Sequence, residues 1–264
     1  MNDKDKKIND TKVVLSVKSI SKNFGGLKAL NNASFDIMSK SITALIGPNG
    51  AGKTTLFNII TGFFKSDSGK IILDGKDITN HPTHRLFANG LIRTFQIPAS
   101  FYRMTVLDNL MAVPMNQSGE NLFFSLIGSK KIKNEEKKIY EKSIEVLDFL
   151  EISHIAKKFA GELSGGQKKL LELGKVMMTD PKVVLLDEPG AGVNPTLMKK
   201  LTGFIKKLNK ERGYTFCIIE HDMDLISTLC DPIIVMAEGT VLASGDIEKI
   251  RSNELVKEAY LGTR

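Results

Sequence analysis

A chain of 264 residues, 42% hydrophobic and 25% charged, has room for one large α/β domain or a domain carrying a subdomain. No apolar run approaches the ~18 residues of a membrane-spanning helix, and residues 1–7 are mixed in charge without the apolar core of a secretory signal; a cytosolic protein that meets a membrane only through a partner is expected. The net charge of +7 fits a lysine-rich solvated surface: the densest run, residues 130–138, contains Glu135 and Glu136 and no interleaved aromatic for base stacking, so no nucleic-acid partner is expected.

Residues 1–11 read as a disordered polar tail, and 12–264 as a single domain. Residues 13–20 and 33–37 alternate as strands do, which suits a hairpin or an antiparallel edge. A short β-rich run at 41–46 ends at Gly47, and 53–61 has helical character. Residues 70–73 with Asp74-Gly75 predict a strand and a turn, and 91–95 a strand running into Gln96. From about 97 to 179 the pattern is mostly helical, clearest at 135–150, with a further helix from the N-cap residue Ser164 to about Met178. Alternation then returns: a strand at 183–186, a helix at 195–212, a strand at 215–219 and a helix at 223–229. Strands at 233–236 and 240–243 flank Glu238-Gly239, and the end is helical. Alternating elements around a helical insertion predict a parallel α/β core with a helical subdomain at about 97–179.

The chemistry concentrates in three segments. Gly47-Pro48-Asn49-Gly50-Ala51-Gly52-Lys53-Thr54 fits the phosphate-loop pattern G-x-x-x-x-G-K-[ST], between a strand and a helix as phosphate binding requires. The glycines let backbone N–H groups turn inward around phosphate oxygens. Lys53 brings positive charge to the β- and γ-phosphates, the Thr54 hydroxyl can hold Mg2+, and Thr55 follows as a further nucleotide contact. The apolar strand at 183–186 ends in Asp187, suited to the metal through water, and Glu188, suited to polarise an attacking water. The plainer reading, a carboxylate pair capping the turn at Pro189-Gly190, weakens beside a phosphate loop. Just ahead of that strand lies Leu163-Ser164-Gly165-Gly166-Gln167, where a hydroxyl and glycine amides at a helix start make a second phosphate-binding surface. ATP and Mg2+ are the expected ligands, and phosphoryl transfer to water the expected reaction.

This order of motifs resembles the ATP-binding-cassette (ABC) family, from about residue 13 to 264. The resemblance implies an α/β fold: a P-loop NTPase core of mainly parallel sheet, an antiparallel β edge and a helical subdomain. It implies face-to-face ATPase subunits, with Ser164, Gly165, Gly166 and Gln167 of one chain meeting the γ-phosphate held by the other. Gln96 would reach the metal and the nucleophilic water, and His221, in Ile219-Glu220-His221-Asp222, would be the switch histidine on the γ-phosphate. Phe24 would stack on adenine; packing inside a hairpin is its other reading. One departure is Asn194, which stands where many members carry an aspartate and removes a charge between the two sites. His81, His84 and His154 have no such context, and Cys217 and Cys230 read as reduced structural thiols.

Further stretches resemble the ATP-binding subunit of branched-chain amino-acid importers: Phe24-Gly25-Gly26-Leu27, Ile92-Arg93-Thr94-Phe95-Gln96, Met104-Thr105-Val106 with Asp108-Asn109-Leu110, Ala191-Gly192-Val193-Asn194-Pro195, Glu220-His221-Asp222-Met223 and Ala259-Tyr260-Leu261-Gly262, with residues 121–128 as an insertion of that group. That branch implies a second ATPase subunit, identical or paralogous, two transmembrane permease subunits, an external solute-binding protein acting indirectly, and a peripheral place on the cytoplasmic face of the membrane. ATPases of urea or amide importers and of lipopolysaccharide exporters share parts of these stretches. A soluble ABC-type assembly ATPase is another alternative; against a non-hydrolysing regulator stand Glu188 and His221.

Overall fold

The computed structural model describes residues 12–94, 100–115, 117 and 130–261, in two compact units. The tail at 1–11, Gln96 and the segment 121–128 lie outside the described residues. Unit one comprises the chain up to Arg93, Lys182–Ala191 and Thr202–Arg264; unit two comprises Thr94–Pro181 and Gly192–Leu201.

In unit one, β1 (Val13–Phe24) and β2 (Leu27–Met38) form a long antiparallel hairpin, Val13 opposite Met38 and Phe24 opposite Leu27. Both strands outrun the alternation visible in sequence. Register shifts between Val17 and Lys22, with Ser19 and Asn32 at positive φ, break the period of two without ending the strands. Next come β3 (Ile42–Ile46), β4 (Ser68–Leu73), β5 (Lys76–Asp77) and β6 (Leu91–Thr94). After the excursion into unit two follow β7 (Val183–Asp187), β8 (Phe216–Ile219), β9 (Ile233–Ala237) and β10 (Thr240–Gly245).

The strands form two sheets, β2-β1-β4-β5 and β10-β9-β3-β8-β7-β6. In the second, β9, β3, β8 and β7 are mutually parallel and every residue in them is buried, which accounts for their nearly unbroken aliphatic sequences. The antiparallel character expected of an edge is divided between β10, paired to β9, and the separate four-stranded sheet. Asp74-Gly75 and Glu238-Gly239 close their hairpins with both residues at positive φ, the twist-matched two-residue turn.

Helix α1 (Lys53–Ile60) starts directly on the glycine loop and buries Leu56, Phe57, Ile59 and Ile60 in a core shared with Leu15, Ile20, Leu30, Leu45 and Ile71. Burial of such side chains contributes about 1.5–3 kcal/mol each, so α1 is held far more firmly than its eight residues would manage alone. A short α2 (Thr83–Ala88), not apparent from the sequence pattern, follows β5.

Unit two is helical. Its α3 (Val106–Met111) opens with a capping box between Thr105 and Asp108; α4 (Lys130–Phe149) and α5 (Gly165–Met178) follow, joined through two 3-10 turns. Gly174 lets α5 approach closely: a Cβ there would lie 3.1 Å from Leu110 and from Leu150 and 3.3 Å from Val146. The fully buried Asn109 amide binds backbone at Phe101, Met104 and Thr105, fixing the strip that leads into α3. Helix α6 (Pro195–Arg212) begins in unit two and runs into unit one, where α7 (Met223–Leu229), α8 (Ile247–Ser252) and α9 (Glu254–Leu261) complete the chain.

Candidate functional site

The phosphate loop leaves the buried end of β3 and enters α1 with Gly47, Gly50 and Gly52 all at positive φ. Gly47 is constrained most: a Cβ there would lie 2.1 Å from the Met236 carbonyl oxygen of β9. The β9–β10 turn closes the other side, with the Gly239 N–H donating to the Ala51 carbonyl at 3.2 Å and the Asn31 N–H donating to the Gly239 carbonyl at 2.8 Å. In α9, partial burial raises the Tyr260 pKa above the usual tyrosine value, against the pull of the Gly47 backbone. The Lys53 side chain is buried over the loop and donates to the carbonyls of Gly47 (2.7 Å) and Pro48 (3.0 Å). Burial lowers its pKa below the usual lysine value, against the opposing pull of Glu188 and Asp187. Thr54 is exposed and Thr55 half-buried, at the start of α1.

At the end of β7, Asp187 is buried and its Oδ2 accepts from Arg93 Nη2 at 2.7 Å. Arg93 Nη1 also donates to Asn58 Oδ1 (2.6 Å) and Thr61 Oγ1 (3.3 Å), and its guanidinium lies 5.8 Å from the Phe57 ring centroid. Glu188 follows at φ +48, its N–H bonded to the Ile219 carbonyl at 3.0 Å. Its Oε1 is 3.1 Å from His221 Nε2, and both side chains are part-exposed, open to a substrate. Glu220 is buried: Oε1 accepts the Gly190 N–H at 2.8 Å and Oε2 the His221 N–H at 3.1 Å.

In unit two, Ser164 caps α5. Its hydroxyl accepts the Gln167 N–H at 3.3 Å while Gln167 Oε1 accepts the Ser164 N–H at 3.0 Å, and Gly165 and Gly166 form the first turn. A Cβ on Gly166 would lie 1.8 Å from Leu197 Cδ2. Asn194 accepts the Leu197 N–H at 2.9 Å through Oδ1, so the residue that departs from the aspartate pattern performs the capping an aspartate would. In unit one, Phe24 is 41% exposed at the tip of the β1–β2 hairpin, edge-on to Phe64 (centroids 5.3 Å, 73°) with Lys22 5.5 Å from its ring centroid. Cys217 and Cys230 are buried free thiols, the latter pushed up to about 12 by burial.

Sequence reasoning passed over two of these residues as parts of the site. Arg93 stands in the sequence only within a stretch resembling importer ATPases; a guanidinium directly after two buried apolar residues is the signal for an acidic partner. Glu220 follows four buried apolar residues of β8, where a carboxylate with no task is costly. Among the described residues no cluster of three or more His, Cys, Asp or Glu forms a protein-only metal cage. The available donors, the Thr54 hydroxyl and the Asp187 carboxylate, are hard oxygens. They fit Mg2+, which binds one or two protein oxygens together with phosphates and water.

The family model for ABC transporters matches residues 30–191. A protein of Archaeoglobus fulgidus named "Probable branched-chain amino acid transport ATP-binding protein LivG" is 45% identical over 95% of this chain and 96% of its own. The Pseudomonas aeruginosa high-affinity branched-chain amino acid transport ATP-binding protein BraF is 38% identical over 94% of this chain and 98% of its own. Among solved structures, a nucleotide-free ATP-binding cassette from an ABC transporter superposes with a TM-score of 0.80 at 41% identity, covering 94% of this chain and 99% of that one. The ADP conformation of such a cassette gives the same TM-score and identity over 96% and 100%. A phosphate loop seated on a parallel sheet, with a carboxylate–histidine pair at the ends of β7 and β8, is thus matched by likeness along almost the whole chain: it belongs to the ABC transporter family, as an ATP-binding subunit that hydrolyses ATP.

Proposed function

We propose that the chain is the motor subunit of an importer for branched-chain or related amino acids. The observation that carries the hydrolytic part is the 3.1 Å contact between Glu188 Oε1 and His221 Nε2. Each holds the other in place, and Glu188 keeps a part-exposed carboxylate with which to orient or deprotonate water. Lys53 releases its loop carbonyls in favour of the β- and γ-phosphates, and the loop amides take the remaining oxygens. Thr54 and Asp187 would hold Mg2+, which would neutralise charge on the phosphates. Gln96 completes the water's position, Phe24 offers an aromatic surface to adenine, and Ser164 with the Gly165 and Gly166 amides closes on the nucleotide of a second subunit.

The transport part is supported by relatives 37–45% identical over at least 94% of this chain that carry branched-chain amino acid transport names. No helix among the described residues is long and apolar enough to cross a membrane. In this reading the chain sits peripherally on the cytoplasmic face, held by two permease subunits and paired with an identical or paralogous ATPase, while a solute-binding protein delivers substrate outside. Affinity capture of the tagged chain from detergent-solubilised membranes, followed by mass spectrometry, is expected to recover permeases and any second ATPase. Recovery of the chain alone, or with soluble assembly factors, would refute the transporter reading.

A further inference from the structure

Glu188 does its work from an unfavourable backbone. Its φ of +48 lies in the left-handed region, which residues with a side chain rarely adopt and which persists only when neighbours over-determine it. Three hydrogen bonds do so: Glu188 N–H to the Ile219 carbonyl (3.0 Å), Ala191 N–H to the Glu188 carbonyl (3.1 Å), and Gly190 N–H to Glu220 Oε1 (2.8 Å). Only the last comes from a side chain, and the other oxygen of that carboxylate accepts the His221 N–H at 3.1 Å. One buried carboxylate therefore joins the turn behind Glu188 to the backbone of the histidine that meets it. Burying a carboxylate is costly, and two backbone amides compensate it only while both point inward.

We infer that Glu220 is a positioning residue for ATP hydrolysis, a two-armed clamp that sets the Glu188–His221 geometry without touching nucleotide. This rests on the proposed roles of Glu188 and His221. Glu220 reaches neither the phosphate loop amides nor Lys53, so its loss acts on the chemical step and spares nucleotide binding.

The test uses the purified full chain and five variants: Glu220→Gln, Glu220→Asp, Glu188→Gln, His221→Ala and the double variant Glu220→Gln/His221→Ala. Glutamine keeps the size but presents one acceptor and one donor group, so one backbone N–H loses its partner. Aspartate keeps the charge but is a methylene too short to span both amides. Losing one such bond, or displacing a reacting group by about 1 Å, lowers turnover by roughly ten- to a hundredfold. Both Glu220 variants are expected to lose kcat by that factor, with KM and the affinity for a fluorescent ATP analogue within about twofold of the parent. Because part of the clamp acts through His221, adding Glu220→Gln to His221→Ala is expected to cost less than Glu220→Gln costs the parent. A kcat within twofold of the parent for Glu220→Gln, or for Glu220→Asp should the glutamine variant not fold, overturns the proposal. So does a loss that appears equally in nucleotide affinity. Glu188→Gln separates the two failures: if it turns over normally the reading of the site is wrong, and if it is inactive while Glu220→Gln is normal only the clamp is wrong.

Discussion

Replacing Arg93 with methionine is expected to lower the melting temperature of the nucleotide-free protein by about 6–20 °C. Arg93 and Asp187 meet at 2.7 Å with side chains 7% and 9% exposed, so solvent screens the pair little. Removing one partner of a buried pair strands the other charge, at a cost of about 3–5 kcal/mol. In a domain of this size each 1 kcal/mol moves the melting temperature by about 2–4 °C, which gives the range. Methionine retains an unbranched stem beside Phe57, so the loss is dominated by charge and hydrogen bonds rather than by packing. The assay is thermal unfolding by circular dichroism of the parent, Arg93→Met, Asp187→Asn and the double variant. Neutralising both partners strands neither, so the double variant is expected to be more stable than Arg93→Met alone. A melting temperature for Arg93→Met within about 2 °C of the parent would refute the reasoning, as would a double variant whose loss equals the sum of the singles.

Lys53→Ala is expected to weaken ATP binding, read by titration with a fluorescent nucleotide; unchanged affinity would count against the phosphate role of that side chain. Ser164→Ala removes the α5 cap and should cost about 1 kcal/mol in urea unfolding, and an unchanged midpoint would show that the cap contributes nothing. Hydrogen bonds from Lys12 and Lys182 lower the Asp74 carboxyl to about 2. A carboxylate depressed in the folded state adds stability above its unfolded value of ~3.9, and that stability is lost as pH falls through the folded value. Titration of Asp74 by NMR should therefore show a midpoint of about 2; a midpoint near ~3.9 in the folded protein would mean the two lysines do not hold it.

Buried parallel strands are the easiest part of this fold to read, because β3, β7, β8 and β9 are almost wholly apolar and end at turns or charged residues. The hairpin turns at Asp74 and Glu238 were legible for a local reason, the positive φ that an acidic residue followed by glycine tolerates. The Ser164 cap was equally local, and the structure adds the reciprocal bond from Gln167. The full length of β1 and β2 was hidden by bulges, whose cause lies in cross-strand pairing rather than in either strand's own pattern. Arg93 and Glu220 were hidden for the same kind of reason. Their partners, Asp187 and Gly190, lie 94 and 30 positions away, and only the assembled sheet brings them together. Contiguous motifs can be located in the sequence, whereas the contacts of Arg93 and Glu220 depend on tertiary neighbours.

The sheet order has a consequence for biosynthesis. Strand β3, which launches the phosphate loop, has β8 and β9 as its only neighbours in its sheet, and both are translated more than 165 residues later. The turn that closes on Ala51 comes later still. A nascent chain that has emerged through α5 therefore carries the whole glycine loop and the Ser164 segment, yet has no flanking strands to hold the loop amides toward a phosphate. Until β8 and β9 are made, β3 lacks its native sheet partners, a state open to aggregation and to chaperone capture. The loop gains the neighbours that hold it only once β8, β9 and the turn after β9 have been made.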